Sequence, residues 1–519
     1  MSAQSRPTHP CLSECAHLIA LANAMTEVFN ATSTQDAPDF LHDWRTQAEA
    51  MRNNPTLDSL GGERALEKLS LDLRRLWLQH VYAHSGGYMM SPPHTQRKYL
   101  PDGARIGFPY DRWLKPQVLE QRLNALHPAP KGWNGRAYLF ANAMAAIVTS
   151  LQVYRAFAKK TWPQLAAPPQ KPLSLHWFGG YFEIIKALHL VCDDHLHGRK
   201  HTKQQDLCTA IERGIADLVL IEPVAANIEL EVFDLDAFTR AWNRRPANAR
   251  PCTIIVDASL NAGTFPIERL CLELAPNPPA MVILIRSGLK LDQEGLELSN
   301  AGLLNLWMPS DADSTNDPKN AKRFDQFTDT LEVSRTTIGA GLSQNEYAAL
   351  SAPFFLDREA LAHHADAVFA NNRELAEALA YVAKPDGTLF QQVLHPCLGQ
   401  RKDLPWAEAP YVNLRYRPDD KTARAFLHAV LQFEARARTL TFQSGSSFGF
   451  RGHRFEMGFA RGFKHNTLRV AMGARGGPSK DGVIQLFRDL AAYPDFAALR
   501  AAYPQIAAKL SDDPIQEEA

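Results

Sequence analysis

The sequence predicts an α/β protein with a mostly parallel central sheet and a smaller C-terminal α/β domain. Short apolar runs alternate with helical stretches through the middle of the chain. Two of these runs end in residues suited to chemistry, since TIIV precedes Asp257 and MVILIR precedes Ser287 and Lys290. A second group of strand-like runs follows a long helical stretch. Because ligands of open α/β sheets bind beyond the carboxyl ends of the strands, Asp257 and Lys290 mark the expected site.

The central elements are predicted from continuous apolar runs, which indicate strands buried on both faces, and from helical periodicity between them. The predicted strands are 137–140, 173–178, 217–221, 253–256 and 281–285, and the predicted helices are 143–154 and 181–190.

Four segments are predicted along the chain. They are an N-terminal helical extension (1–90), an extended Gly- and Pro-rich arm (91–116), a large domain (117–350) and a small domain (351–519). Outside the central region, the predicted helices are 15–29, 66–81, 344–361 and 365–382, and the predicted strands are 411–416, 439–442 and 468–472.

The composition of the chain argues against several classes of function. Lys+Arg and Asp+Glu both total 56, so the net charge is zero, and we expect neither nucleic-acid binding nor a polybasic membrane contact. No apolar run approaches the ~20 residues of a membrane span. The N-terminus has no basic-then-apolar signal pattern, and the seven cysteines are scattered without a CxxC motif. These features favour a cytoplasmic protein with reduced thiols.

The pair Asp257 and Lys290 suggests a site for pyridoxal 5'-phosphate (PLP). A lysine amine can form a Schiff base with the aldehyde of this cofactor. A carboxylate can keep the pyridine nitrogen protonated, so that the ring withdraws electrons from a substrate carbanion.

Six segments then occur in a recognisable order. They are Tyr110-Asp111-Arg112, Asn142-Ala143-Met144, Phe178-Gly179-Gly180, Glu222-Pro223 with Asn227, Asp257 with Ser287 and Lys290, and Arg469 in TLRVAMG. Between about residues 105 and 475 the chain resembles the cystathionine-synthase-like (Cys/Met metabolism) family of fold-type I PLP-dependent enzymes, as a divergent member.

The resemblance implies a role for each segment. Lys290 would be the Schiff-base lysine, Asp257 would hold the pyridine nitrogen, and Arg469 would bind the substrate carboxylate. The loop at Ser446 would line the substrate pocket. The remaining cofactor contacts would be Phe178 stacked on the ring, Asn227 on its phenolic oxygen, and Asn142, Ala143, Met144, Ser287 and, from a neighbouring subunit, Tyr110 and Arg112 on its phosphate.

The resemblance also implies a reaction class and an assembly. We expect γ-replacement, elimination or a related bond formation on an amino acid through an external aldimine, with a role in specialised metabolism as one interpretation. Because Tyr110 and Arg112 act across an interface in the family, a homodimer or homotetramer is expected. The Arg- and His-rich segment 451–461 would suit an anionic second substrate. An aminotransferase and a catalytically inactive scaffold are the alternatives.

Two other motifs compete with this interpretation. The segment Gly445-Ser446-Ser447-Phe448-Gly449 matches the nucleophile elbow of serine hydrolases, for which only His453 or His465 and Glu456 could complete a triad. The run from Asp193 to His201 carries several potential metal ligands but no second cluster to complete them. We therefore expect no metal.

Overall fold

The N-terminal helices pack against the rest of the protein through a leucine-rich face. This computed structural model describes residues 9–30, 39–101, 103–166, 171–310, 318–383, 387–418, 421–458 and 466–512. The side chain of Ser59 caps the third helix by accepting a hydrogen bond from the amide of Gly62. Trp77 of the same helix is buried, and its indole donates to the carbonyl of Ala349 at 2.9 Å. The first elements are α1 (Pro10–Asn30), α2 (His42–Arg52), α3 (Leu60–Ser85), β1 (Lys98–Tyr99) and β2 (Arg105–Ile106).

The segment predicted as an extended arm carries the two-stranded ribbon β1–β2. Several of its side chains are buried, among them Leu100, Ile106 and Phe108, and Lys98 lies over the Phe108 ring at 3.5 Å. This segment therefore lies against the large domain for part of its length.

The large domain alternates helices and strands as expected. Its elements are α4 (Gln117–Leu126), β3 (Trp133–Phe140), α5 (Ala143–Thr161), β4 (Leu173–Phe178), α6 (Phe182–Val191), β5 (Leu196–His201), α7 (Gln204–Glu212), β6 (Leu218–Ile221), α8 (Leu235–Asn243), β7 (Thr253–Asp257), α9 (Ile267–Glu273), β8 (Met281–Ser287), β9 (Gly302–Pro309), α10 (Pro318–Thr337) and α11 (Gln344–Ala349).

The seven strands form one sheet in the order β3-β9-β8-β7-β6-β4-β5. The neighbours from β8 to β5 are parallel, whereas β9 runs antiparallel to both β8 and β3. The predicted mostly parallel sheet is confirmed. Because β7 and β8 are adjacent and parallel, with Asp257 opposite Ile285, the residues that follow both strands meet at one edge.

The small domain contains a five-stranded sheet in the order β10-β11-β14-β13-β12. Its pairs are antiparallel except for β12–β13. Its elements are α12 (Arg358–Ala380), β10 (Phe390–Leu394), β11 (Val412–Tyr416), α13 (Ala423–Ala437), β12 (Phe442–Ser444), β13 (His453–Met457), β14 (Asn466–Ala471), α14 (Pro478–Ala491), α15 (Phe496–Ala502) and α16 (Pro504–Asp512).

The prediction of a single helix over 344–361 is wrong. Helix α11 ends at Ala349 and α12 begins at Arg358, where Asp357 provides the cap by accepting from the amides of Glu359 and Ala360. Leu356 has a positive φ of 62°, which interrupts a helix. Within the described ranges, none of the helices has the length and apolar character that crossing a bilayer requires.

Candidate active site

The side chain of Lys290 is partly buried at the carboxyl edge of the large sheet. Its ε-amino group donates a hydrogen bond to the hydroxyl of Ser447 and lies 5.2 Å from the centre of the Phe448 ring. Burial lowers the pKa of Lys290, and the positive charge of Arg469 lowers it further. A lysine in such surroundings is more readily deprotonated, and the neutral amine is the form that attacks carbonyl carbons.

The loop that carries Ser447 presses directly on the backbone of Lys290. Ser447 has φ of 75° and Gly449 has φ of 82°. A Cβ atom at position 449 would collide with the carbonyl oxygen of Lys290, so only glycine permits this approach. Left-handed backbone at a non-glycine residue costs about 1–2 kcal/mol and is characteristic of functional sites.

Asp257 ends β7 as a buried carboxylate. Its Oδ1 accepts a hydrogen bond from the hydroxyl of Ser259 at 2.6 Å and from the amide of Ser259 at 3.1 Å. The Ser259 hydroxyl also accepts from the amide of Ser287 at 3.0 Å, which ties the ends of β7 and β8 together. Burial raises the pKa of Asp257, and among the described residues no lysine or arginine offsets this effect. The carboxylate therefore lacks a cationic partner.

Glu222 lies next to Asp257 and organises the Gly179-Gly180 turn. Its carboxylate accepts from the amides of Gly180, Tyr181 and Ala226 at 2.9, 3.1 and 2.7 Å. Burial and the negative charge of Asp257 raise the pKa of Glu222 to about 7, although the three amide donors oppose that change. Two interacting carboxyl groups thus lie at the ends of β6 and β7.

The start of α5 offers backbone donors at the same edge. Asn142 caps the helix by accepting from the amide of Ala145 at 2.8 Å. The amides of Ala143 and Met144 belong to the first turn, where no partner within the helix exists. A Cβ atom at Gly302 would collide with the backbone of Asn142, so the glycine lets β9 approach this turn closely. Such a helix start suits an anion such as phosphate.

Arg469 on β14 is oriented by its neighbours. Its Nη1 donates to Glu456 at 3.0 Å across the β13–β14 pair, and its guanidinium carbon lies 4.5 Å from the centre of the Tyr411 ring. About a third of the Arg469 side chain is exposed. The guanidinium is close enough to Lys290 to lower the pKa of its amine, so the two charged groups lie near one another.

The two aromatic residues of the FGGY turn lie in different environments. Phe178 is 4% exposed and packs in the core at 6.0 Å from Phe233. The hydroxyl of Tyr181 donates to Glu183 at 2.6 Å, and the charges of Asp257 and Arg469 both influence this phenol. Burial and the Glu183 contact raise the pKa of Tyr181, so the phenol stays protonated.

Four predicted site residues are not brought to Lys290 by the described contacts. The side-chain amide of Asn227 is bonded to Glu231 at 3.0 Å. Tyr110 is 51% exposed, and Arg112 lies over its ring at 5.7 Å. Ser446 is exposed, and the described contact that it makes is through its carbonyl, which accepts from Arg454 at 3.4 Å. The adjacent Ser447 makes the contact with Lys290.

Two arginines expected to attract an anionic second substrate already hold carboxylates. Arg451 is 6% exposed and donates to Glu294 at 3.2 Å. Arg454 donates to Glu297 at 2.7 Å and lies over the Phe450 ring at 3.8 Å. The sequence predicts a basic loop that is open to an anionic ligand. These ion pairs argue against that prediction. The rest of the predicted segment, 459–465, lies outside the described residues.

The residues that a serine hydrolase would need beside the GSSFG motif are not brought together in the described structure. His453 is buried, its Nδ1 accepts from the amide of Gly473 at 3.1 Å, and burial lowers its pKa to about 3. Glu456 is paired with Arg469. His465 lies outside the described residues. Ser447 therefore has Lys290 as its partner in the described structure, and not a histidine.

Several residues of the site were not singled out from the sequence. Ser259 is signalled only weakly, by its place two residues after an aspartate, where hydroxyls often bond back to the carboxylate. Tyr181 and Glu183 follow the Phe178-Gly179-Gly180 turn, but the sequence does not indicate a site role for them. Tyr411 and Glu456 had no signal of a site role, because their proximity to Arg469 depends on strand pairing in the small sheet.

Comparison with known proteins identifies the fold. No protein-family model and no curated protein sequence matches this chain. A methionine gamma lyase from Micromonospora echinospora has a similar structure, with a TM-score of 0.51 and 18% identity over 74% of this chain and 89% of that one. Cystathionine gamma-lyase from yeast gives a TM-score of 0.49 and 15% identity over 80% of this chain and 97% of that one. The chain has the fold of the fold-type I PLP-dependent enzymes, as the sequence predicted.

Proposed function

We propose that this protein is a PLP-dependent enzyme that acts on an amino acid, with Lys290 as the Schiff-base lysine. The observation that carries the proposal is the position of two chemically complementary groups, one partly buried and one buried, at the same edge of the large sheet. Lys290 is an amine whose pKa burial lowers, and Asp257 is a carboxylate without a described cationic partner. A pyridinium nitrogen would provide that partner, and an aldehyde would use that amine.

The other groups at this edge fit the same cofactor. The amides of Ala143 and Met144 at the start of α5, together with the hydroxyl of Ser287, would hold the phosphate. Phe178 and Asn227 stay proposed ring contacts. In the described structure Phe178 packs against Phe233 and Asn227 bonds to Glu231. We propose Tyr181, on whose phenol the charges of Asp257 and Arg469 act, as a further aromatic residue near the ring.

When bound, PLP would supply an electron sink for a carbanion at the substrate Cα atom. The chain's own residues would do the rest. Arg469 would bind the α-carboxylate with its Nη2 and Nε atoms, while Glu456 holds Nη1. Lys290 would take the proton from Cα, and Ser447 would fix the position of its amine. Phe448 and Tyr411 would exclude water from the pocket.

Within this class we propose γ-replacement, elimination or a related bond formation. Phe178 has no hydroxyl, so a proton for a leaving group would have to come from another residue. Tyr181 suits that task, because its phenol is protonated and the charges of Asp257 and Arg469 both act on it. We also propose that Tyr110 and Arg112, which are exposed in the single chain, contact the cofactor of a second copy in a homodimer.

An absorption spectrum tests the cofactor assignment. Purified protein mixed with PLP should show a Schiff-base band near ~420 nm that borohydride removes. Lys290→Ala should lack this band, whereas Lys186→Ala, which removes a lysine from the α6 surface, should keep it. A wild-type protein that stays colourless with PLP would leave the inactive scaffold as the better interpretation.

A second experiment tests the substrate class. Amino acids should shift the Schiff-base band of the wild type, and Arg469→Ala should raise the concentration required for half of that shift at least about tenfold. Arg415→Ala is the matched control, because Arg415 lies on the paired strand β11 but binds Glu229 at 2.7 Å. Equal responses of the two variants would contradict the role of Arg469.

A further inference from the structure

A cluster of metal-ligating side chains joins the N-terminal extension to both the large and the small domain. It consists of His17 on α1, Glu294 in the loop after Lys290, and His363 on α12. One ligand atom from each residue lies within 4.8 Å of the others, and within the described ranges it is the one group of three such residues. The sequence could not reveal it, because the three residues belong to three distant segments.

Glu294 is the buried member of the cluster. Its side chain is 2% exposed, and Oε2 is 2.9 Å from Nε2 of His17 and 3.2 Å from a nitrogen of Arg451. The other oxygen, Oε1, is buried without a hydrogen-bond partner among the described residues. Burying a carboxylate oxygen without a partner costs free energy, so an unfilled acceptor of this kind points to a missing ligand.

The two histidines complete a set suited to a transition metal. Their rings lie 4.7 Å apart, and both are accessible to solvent, His17 in part and His363 more fully. The neutral imidazole of histidine is a common ligand of such metals. Two histidines and one glutamate, with a fourth position open to water, match the ligands and coordination that Zn²⁺ prefers.

Small side-chain movements would bring the three ligand atoms to the distances that a bound metal requires. Tetrahedral Zn²⁺ with bonds of about 2.1 Å places its ligand atoms roughly 3.4 Å apart. Arg451 is the nearest competing cation, and it has a second carboxylate, Glu14, at 3.6 Å to which it can turn. His364 also lies near Glu294, with its Nδ1 3.8 Å from Oε2, but its Nε2 is bonded to the carbonyl of Gly449 at 2.8 Å.

We propose that His17, Glu294 and His363 form a binding site for a divalent transition metal of the Zn²⁺ type. The metal would join α1 of the N-terminal extension to the loop four residues after Lys290. This gives the extension a structural task at the catalytic domain that does not depend on which reaction the enzyme catalyses. The site is distinct from the Asp193–His201 run, where His195 and His197 are exposed and His201 is paired with His176 at 2.9 Å.

Metal titration of the full-length protein, first dialysed against a chelator, tests the proposal. One equivalent of Zn²⁺ or Co²⁺ should bind, and Zn²⁺ should raise the Tm of the wild type. His17→Ala and His363→Ala should each weaken binding by more than about tenfold, because each removes a direct ligand. His195→Ala is the control for an unrelated surface histidine and should bind as the wild type does.

The metal-induced change in Tm is the deciding quantity, since His17→Ala also loses its hydrogen bond to Glu294 and lowers the starting Tm. A wild type that binds neither metal would overturn the proposal. So would His17→Ala and His363→Ala variants with unchanged affinity, because binding would then occur elsewhere. Titration in the presence and absence of PLP separates this site from the proposed active site, because occupancy should be the same in both.

Discussion

The side-chain amine of Lys290 donates a hydrogen bond to the hydroxyl of Ser447, although 157 residues separate the two in sequence. The contact joins the large sheet to a loop of the small domain. It fixes the amine in a pocket whose surroundings lower its pKa. A residue of the small domain therefore positions the amine of Lys290, which belongs to the large domain.

Ser447→Ala should slow the reaction of Lys290 with PLP about fivefold, because the amine loses the hydrogen bond that positions it, and such a bond contributes about 1 kcal/mol. Stopped-flow absorbance after mixing apoprotein with PLP measures this rate. Ser446→Ala is the matched control, since that side chain is exposed, and it should react at the wild-type rate. Equal rates for both variants would show that the Ser447 hydroxyl does not position the amine.

Gly449→Ala should destabilise the protein more than a simple backbone penalty explains. Gly339 provides the comparison, because its φ of 68° also favours glycine but its added Cβ would meet no atom within 4 Å. Gly339→Ala should cost about 1–2 kcal/mol of unfolding free energy. Gly449→Ala should cost more and also weaken PLP binding, because the Cβ collides with the Lys290 carbonyl. Urea denaturation measures the first effect and PLP titration the second; similar losses in both variants would argue against the close packing.

Asp257→Asn should have opposite effects on the apoprotein and on cofactor binding. Burial raises the pKa of Asp257 above its ordinary value of 3.8, so folding becomes less favourable as pH rises through the interval between the two. Near pH 7 the charged side chain thus costs stability, and removing the charge should keep or raise the Tm of the apoprotein. PLP affinity should fall at least about tenfold, because the pyridinium loses its counter-ion. A variant with lower apoprotein Tm and unchanged PLP affinity would contradict this assignment.

Glu222→Gln should flatten the pH dependence of stability. The pKa of Glu222 is raised from 4.5 to about 7, so its ionisation opposes folding progressively as pH rises between these values. The cost at pH 8 is on the order of 3 kcal/mol. Unfolding free energies of the apoprotein at pH 5 and pH 8 should therefore differ less in the variant than in the wild type. The variant should be less stable at pH 5, because Gln accepts hydrogen bonds from the three amides less strongly than Glu does. This does not affect the comparison, which concerns the change in unfolding free energy between the two pH values.

Five of the seven strands of the large sheet were predictable because strands buried on both faces leave continuous apolar runs, although β9, which is also apolar and buried, was not among them. Strands β7 and β8 are of this kind, and with them the positions of Asp257 and Lys290 were correct as strand ends. Strand β5 was missed, since its sequence LHGRKH is polar and four of its six residues are exposed at the sheet edge. An edge strand that packs on few neighbours carries little hydrophobic signal.

The site was less predictable than the fold. Which of two adjacent serines meets Lys290 depends on the φ of 75° at Ser447, and a local pattern does not specify that angle. The placement of Phe178 against Phe233, with Tyr181 directed toward the charged groups, likewise depends on how the FGGY turn packs. Contacts between distant segments, such as Arg469 with Glu456, follow from strand register and not from residue type.

The division of the pocket between two domains has a consequence for biosynthesis. Lys290 and Asp257 leave the ribosome well before Ser447, Phe448 and Arg469 do. Until those later residues fold onto the large sheet, the lysine amine stays hydrated and keeps its ordinary basicity. The reactive amine therefore arises only after the small domain has folded, and a truncated product that ends before β12 would carry the lysine without the surroundings that activate it.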